Sequence, residues 1–519
     1  MDEPGRRKPP DDGPDHPPGT VELLSRRKYI QDGQLVLIPE PSDDPDDPLL
    51  WPKWRKAWNF ALLVAMTLLI FTGLSTQSIF ISQLRKDLQA TNEDLINSRA
   101  VEHTGEALGC ILFIPFATKY GRRSVYIVSI AVYVVAAWWF ANMTTTQELY
   151  ITNALKGFAA AINETAVQMS IRDMFFLHRR GSANALYHFA LSTAFSLIPM
   201  AAGAQATNFG WRASATTQAA TMTVLFVFFI FSFEETKFVR ETGKKISDDS
   251  EKDNNSTVGL VLDSDRALPR KPFPHYLRLQ FLTTTDESLW KIFYYPIHSW
   301  WLPHIVFTSL VFGTGLMWIT IQGSLKSIVF SAPPYNFNPQ QLGYLFVASF
   351  VGSLFGNLYG GYFVDWIVVW LTKRNGGLYE PEMRLYPLPL PALGMSAGLV
   401  VFGVTADRGL HWIFPSIGSA LMSFGFGGMA SISFTLVVDA YPNIIAQGFV
   451  VVAFFRNVLG VIGPAATNPW VKGMGLSGLF ITAAFINLAI NLLGVPLLIW
   501  GKRLRTKTAS RYYRLSKQS

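Results

Sequence analysis

The chain has 519 residues, of which 50% are hydrophobic and only 15% charged, where soluble domains carry about 25% charged residues. A formal net charge of +8 would point a soluble protein toward nucleic acid. Here the Lys and Arg residues gather in loops between apolar runs, the pattern that keeps loops on the cytosolic face of a membrane, so nucleic-acid binding is set aside. Cys110 is the single cysteine, which excludes a disulfide framework and a cysteine-based metal centre; it reads as small core packing.

Residues 1–57 are rich in Pro and Asp and lack an apolar signal segment. They read as a disordered cytosolic tail, which leaves the first apolar segment to serve as an internal insertion signal. Apolar runs near 58–82, 98–118, 123–142, 148–175, 182–207 and 212–233 then predict six helices. Runs of about 20 residues, at about 1.5 Å each, cross about 30 Å of hydrocarbon, and 125–140 and 222–233 show almost no polar face. A hydrophilic stretch, 234–299, reads as a cytosolic linker; within it, 244–255 is rich in charge. Six further runs follow near 300–322, 341–370, 388–406, 411–438, 444–468 and 476–500, and a basic cytosolic tail, 501–519, closes the chain. The expected fold class is an all-α polytopic membrane protein, with twelve transmembrane helices in two six-helix pseudo-symmetric halves, 58–233 and 300–500.

An even number of spans puts both termini on one side. Most of the 44 basic residues fall on that same side, in the tails, the linker, the Gly121-Arg122-Arg123 and Arg179-Arg180 loops and Lys373-Arg374. The positive-inside rule makes that side cytosolic. Trp51, Trp54 and Trp58 before the first span and Trp500 at the last fit an interfacial aromatic belt. Asn142-Met143-Thr144 is a glycosylation sequon in a loop this topology places outside, whereas the sequons at Asn254 and Asn255 fall on the cytosolic side.

A charge at mid-bilayer costs about 2.5–3.5 kcal/mol on insertion scales, so ionisable residues inside spans need a reason. Glu106 sits near mid-depth in the second helix with Glu102 one turn away, Glu164 near mid-depth in the fourth beside Asn163, His188 in the fifth and Arg456 in the eleventh. One reading is a central cavity whose carboxylates bind a cationic or polar substrate and exchange protons; the other is a set of paired structural charges. Glu102 is expected nearer the outer mouth. Asp173, Asp365 and Asp439, near cytoplasmic helix ends, are expected to form gate ion pairs with the Arg122-Arg123 turn, whose arginines can also reach helix C-terminal carbonyls. Glycines at spacing four (Gly105 and Gly109; Gly352, Gly356 and Gly360) permit close helix contact, and Pro199 and Pro464 can bend the fifth and eleventh helices. Aromatic residues such as Phe189, Trp318, Phe346 and Phe350 either wall a cavity or face lipid. No nucleotide-binding Gly-Lys loop, zinc-protease helix or nucleophile elbow is present, so neither enzyme activity nor a metal or cofactor is expected.

Several segments resemble the major facilitator superfamily. They are the Pro115-Phe116-Ala117-Thr118-Lys119-Tyr120-Gly121-Arg122-Arg123 stretch, Asp44-Pro45-Asp46-Asp47-Pro48 with Trp51 and Trp54, Ile171-Arg172-Asp173, Gly210-Trp211-Arg212, Glu234-Glu235-Thr236 and Phe455-Arg456-Asn457. The chain from residue 50 onward is similar to a fungal twelve-span branch of drug:proton antiporters and yeast organic-cation and polyamine carriers. It departs from the usual pattern where Thr118 and Lys119 stand before the Gly-Arg-Arg in place of Asp and Arg, and where Asn153 stands four residues before Gly157 in place of the Arg of antiporters. The resemblance implies a monomeric secondary transporter of the plasma membrane, moving a small organic molecule with protons through the bilayer. Proton-coupled efflux is the first expectation, import of an organic cation such as a polyamine the second, and a non-transporting sensor the third.

Overall fold

The computed structural model describes residues 17–22, 30–31, 34–35, 44, 46–238, 279–284, 288–442 and 444–516. The charged run 244–255 and both cytosolic-side sequons lie outside these residues. The described chain is helical apart from four two-residue strands: β1 (Val21–Glu22), β2 (Ile30–Gln31), β3 (Gln34–Leu35) and β4 (Leu378–Tyr379).

The N-terminal unit holds α1 (Lys53–Thr76), α2 (Ile81–Asp87), α3 (Asn92–Tyr120), α4 (Arg122–Asn142), α5 (Thr146–Ala160), α6 (Ile162–Met174), α7 (Leu177–Ser196), α8 (Ile198–Phe209) and α9 (Trp211–Ser232). After α10 (Leu289–Ser299), the C-terminal unit holds α11 (Pro303–Ser331), most of α12 (Pro339–Leu358), α13 (Val364–Arg374), α14 (Pro389–Asp407), α15 (Ile413–Ala440), α16 (Ile445–Leu492) and α17 (Gly494–Ser516), with β1.

Local chemistry sets the helix ends. Thr91 with Asp94 and Thr145 with Glu148 form reciprocal capping boxes that start α3 and α5. Gly121 (φ 110°) turns the chain from α3 directly into α4, a backbone angle that a side chain would strain. The predicted fourth span is broken at Ala161 into α5 and α6, and the fifth at Leu197, where Pro199 enters the first turn of α8. A π-helical turn, Tyr359–Phe363, joins α12 to α13, and Gly475 (φ 74°) bends α16 where the eleventh and twelfth expected spans meet.

Among the described residues, nine helical runs are long and apolar enough to cross a membrane. The run Gln447–Ser516 is counted once although it contains the Gly475 bend. Neither α3 nor the α5–α6 pair is among the nine. Both lie where spans were expected, and both carry internal charges: Arg99, Glu102 and Glu106 in α3, Lys156 and Glu164 in α5 and α6.

Two of the expected segments carry local structure. In the N-terminal tail, β1 pairs antiparallel with β4, Val21 opposite Tyr379 and Glu22 opposite Leu378, and Asp47 caps a helical turn at Pro48–Leu50. The expected linker, 234–299, has α10 at its end.

Glycine stripes set the closest helix contacts. On α12, a Cβ at Gly352 or Gly356 would collide with the Ala420 or Phe424 carbonyl of α15. On α3, Gly105 and Gly109 meet the Ala154 and Phe158 carbonyls of α5, and Gly157 of α5 meets the Glu102 carbonyl. With no apolar driving force between helices in lipid, this backbone proximity is what holds them. Gly352→Leu should therefore lower the melting temperature of the purified protein, by the equivalent of about 1–3 kcal/mol for overpacking. An unchanged melting curve would show that α12 and α15 do not depend on the stripe.

Candidate functional site

Tight packing of α3 on α5 places a row of charges inside the N-terminal unit. Arg99 Nη1 lies 2.8 Å from Glu102 Oε2 and also donates to the Leu74 carbonyl of α1. One turn on, His103 Nδ1 is 2.8 Å from Glu106 Oε2. Glu102, His103 and Glu106 are all buried. Spacings of three and four residues put all four side chains on one side of a helix, so each pair forms without bending the backbone. From α5, buried Lys156 places its ammonium 3.2 Å from the centroid of the Phe140 ring and within electrostatic reach of Glu102. Tyr133 of α4 lies near Glu102 as well, its hydroxyl donating to the Ile70 carbonyl at 3.0 Å. Lone ions here would be strongly disfavoured; matched pairs with further hydrogen bonds are tolerated.

Glu106 thus stands in this row, and Glu102, expected nearer the mouth, is as deeply buried and is partnered by Arg99. Glu164 lies in α6, and its side chain is outside the described residues. Asn163 is buried, with Oδ1 3.1 Å from the Thr67 hydroxyl and its carbonyl accepting from the Tyr187 hydroxyl at 3.1 Å. His188 of α7 is exposed and meets Tyr187 edge-on, with ring centroids 5.3 Å apart. Arg456 of α16 contacts Asn457 Oδ1 at 2.9 Å and lies 5.4 Å from the Phe312 ring centroid; it belongs to the C-terminal unit. Asn142 ends α4 exposed, its amide donating to the Trp138 carbonyl at 2.9 Å.

At the Gly121 turn, Arg122 Nε is 3.2 Å from Asp173 Oδ2, an ion pair by distance without hydrogen-bond alignment. Arg123 donates to the Phe233 carbonyl at 2.8 Å and the Ile230 carbonyl at 2.7 Å, closing the C-terminal end of α9. Glu235 accepts from the Arg122 and Arg123 backbone amides at 2.9 and 3.1 Å, using the exposed amides at the start of α4 as an anion seat. Glu234 pairs with Arg55 of α1.

Asp365 and Asp439 have their partner within the C-terminal unit. Both ion-pair with Arg384, Asp365 at 2.8 Å, and Tyr379 also donates to Asp439. Burial and the Asp439 charge push the Tyr379 phenol well above its usual range. Sequence distance hid this arrangement, because Arg384 lies in the short helical turn Pro381–Leu385 between two expected spans. A second charged seat adjoins it. Arg505 of α17, fully buried, donates from Nε and Nη2 to the two carboxylate oxygens of Glu382 at 2.8 and 2.7 Å. It also donates to the Pro18 carbonyl and, at 3.2 Å, to the Thr20 hydroxyl. His304 lies 3.2 Å from Glu382 and 3.3 Å from the Tyr441 hydroxyl. Gly19 (φ 81°) lies so close to the Asp439 carbonyl that a side chain would collide with it. The N-terminal segment is thereby clasped onto the C-terminal unit by a sheet pair and one arginine.

Sequence reasoning overlooked Arg99, His103 and Lys156, and also Lys326 of α11. The signals were present: Arg99, Glu102, His103 and Glu106 recur at helical spacing, and Lys156 and Lys326 each interrupt an apolar run.

A helical membrane protein with charges paired inside its spans has the architecture of a polytopic carrier. Residues 50–464 match the family model of the Major Facilitator Superfamily, and the chain belongs to that family of membrane transporters; it is not an enzyme. It is similar to an uncharacterised MFS-type transporter of Schizosaccharomyces pombe, 27% identical over 96% of this chain and 94% of the relative. Protein HOL1 of Saccharomyces cerevisiae is 26% identical over 97% of each chain, and MFS-type transporter penM of Penicillium rubens is 27% identical over 94% of this chain and 93% of its own.

Arg505→Ala should leave Glu382 buried without its guanidinium and release Pro18 and Thr20, destabilising the protein by about 3–5 kcal/mol. Thermal unfolding of the purified variant reads this, and a shift within error of zero would show the seat to be energetically neutral.

Proposed function

We propose that the chain is a secondary active transporter working by alternating access, in which two six-helix units rock about a midplane site. In this reading it couples proton entry to efflux of a small organic compound, such as a drug or secondary metabolite. It acts as a monomer in the plasma membrane with both termini cytosolic, in line with the side on which its basic residues gather. The Asp173–Arg122 pair and the Arg384 cluster serve as gate contacts, and Asn142 is a glycan acceptor on the outer face.

The observation that carries proton coupling is the buried His103–Glu106 pair, 2.8 Å apart within a helix that has the length of a span. Arg99 and Lys156 offset Glu102 and Glu106 in number, so a proton on the His103 imidazole adds one positive charge to the described side chains of this row. A proton taken up there gives Glu106 a charged counter-ion 2.8 Å away; its release leaves a neutral imidazole in that place. The two states therefore favour different surroundings, which is what a coupling site requires.

Import of an organic cation, such as a polyamine, is the alternative that intramembrane carboxylates favour. The pairing weighs against it at this row, since Glu102 and Glu106 already face Arg99, His103 and Lys156. A sensor without transport would show no flux at all.

Vesicles carrying the purified chain and a panel of radiolabelled organic compounds test the reading. An inward proton gradient should accelerate export. His103→Gln and Glu106→Gln should each reduce that acceleration by about 5–150-fold, the span of coupling free energies of 1–3 kcal/mol. Glu164→Gln should abolish transport with surface expression intact. Flux indifferent to the gradient would reject proton coupling, and undiminished transport by Glu164→Gln would remove that residue from the site.

A further inference from the structure

The two units differ in the sign of their intramembrane charge. Glu102, Glu106 and Glu164 all belong to the N-terminal unit. The α-helices α11–α17 carry no Asp or Glu other than Asp365, Asp407 and Asp439, which stand in first or last turns, and Glu382, in the helical turn before α14, is held by Arg505; yet α11 carries Lys326 and α16 carries Arg456. Lys326 is 2% exposed. Its ammonium has one oxygen within hydrogen-bonding range, Ser349 Oγ at 3.4 Å, and lies 4.6 Å from the Phe346 ring centroid. No carboxylate lies within ion-pair distance of it among the described residues. Lys156 in the other unit, by contrast, has Glu102 in reach.

Beside Lys326 there is space and an excess of donors. At Gly323, one turn earlier on the same face, an added Cβ would meet nothing within 4 Å. Among the described residues, the indole nitrogen of Trp318, 1% exposed, and the amide nitrogen of Asn468 are buried donors without an acceptor. Gly463 of α16 abuts Met317 and Ile321 of α11. Five residues further along two helices running the same way brings Asn468 level with Lys326, at about 1.5 Å per residue. Among the described residues, the indole and amide N–H groups meet no acceptor and the ammonium meets only the Ser349 hydroxyl, at 3.4 Å.

We propose that Lys326 is the recognition point for the carboxylate of an organic acid substrate, with the apolar body of the acid against Phe346 and its remaining acceptors toward Trp318 and Asn468. This rests on the transport reading above and narrows its substrate to amphipathic monocarboxylates. A bound carboxylate would give the ammonium the counter-ion it lacks, and an amide of the same shape would not. Carrying the acid across the hydrocarbon as a matched pair also removes the penalty of moving an isolated anion.

The test uses the purified full-length chain, followed by thermal unfolding with phenylbutyrate, its primary amide phenylbutyramide, and the amine phenylbutylamine. The acid should raise the melting temperature; the amide and amine should not. Lys326→Met should unfold at a higher temperature than the native chain without ligand, because an unmatched buried charge is gone, and should lose the response to acid. Lys326→Arg should keep that response. A lower melting temperature for Lys326→Met would assign Lys326 a structural role and overturn the proposal. So would equal stabilisation of Lys326→Met by the acid, a response to the amine instead, or no response to the acid in the native chain. No response to the acid in the native chain, with proton-gated flux of other compounds present, would sink this proposal alone and leave the transporter reading standing.

Discussion

A charge inside hydrocarbon has to be matched, and this protein is arranged around that requirement. Among the described residues, the ions of the α3–α5 row have partners at helical spacing or on a neighbouring helix: Arg99 with Glu102, His103 with Glu106, Lys156 with Phe140 and Glu102. At the helix ends the same requirement is met differently. Arg123 takes the open carbonyls that close α9, and Glu235 takes the open amides that begin α4. These groups carry the partial charges of a helix terminus, so the pairing is electrostatic even where the partner is backbone.

Matching depends on approach, and approach depends on glycine. Because Gly105, Gly109 and Gly157 let the α3 and α5 backbones touch, Lys156 arrives beside Glu102 rather than a side chain's width away. The fold and the charge row are for this reason one feature. A bulky residue in the stripe would separate the helices and strand the ions together. In the C-terminal unit Gly352 and Gly356 pack α12 on α15 in the same way, but among the described residues no carboxylate is delivered to Lys326. The resulting asymmetry, matched charge on one side and an unmatched cation on the other, is the most specific chemical statement the molecule makes about what it carries.

Much of the fold was legible because hydrophobic length and loop charge are local properties. The second span's glutamates, the Gly-Arg-Arg turn and the Asp173 partner of Arg122 could be named from the sequence alone. What escaped were partners set by three-dimensional approach. Arg384 takes both Asp365 and Asp439 from a short turn with no periodic signal. Arg505 reaches back 487 residues to Pro18, so a tail whose composition resembles disorder is held by a side chain from the opposite end of the chain. Lys156 and Lys326 were hidden by the runs that contain them, since an averaged hydropathy absorbs one lysine. The charges in α3 worked the other way, lowering the apparent quality of a span where the chemistry resides.

The central claim is that the His103–Glu106 pair takes up a proton inside the N-terminal unit and changes the charge of the row by one. The most direct measurement needs no substrate: a pH jump across vesicles of the purified protein adsorbed on a solid-supported electrode, recorded as displaced charge. The account predicts a transient that titrates with the external pH in the native chain and disappears in the combined His103→Gln, Glu106→Gln variant. A transient of the same size in that variant, or none in the native chain, would contradict it.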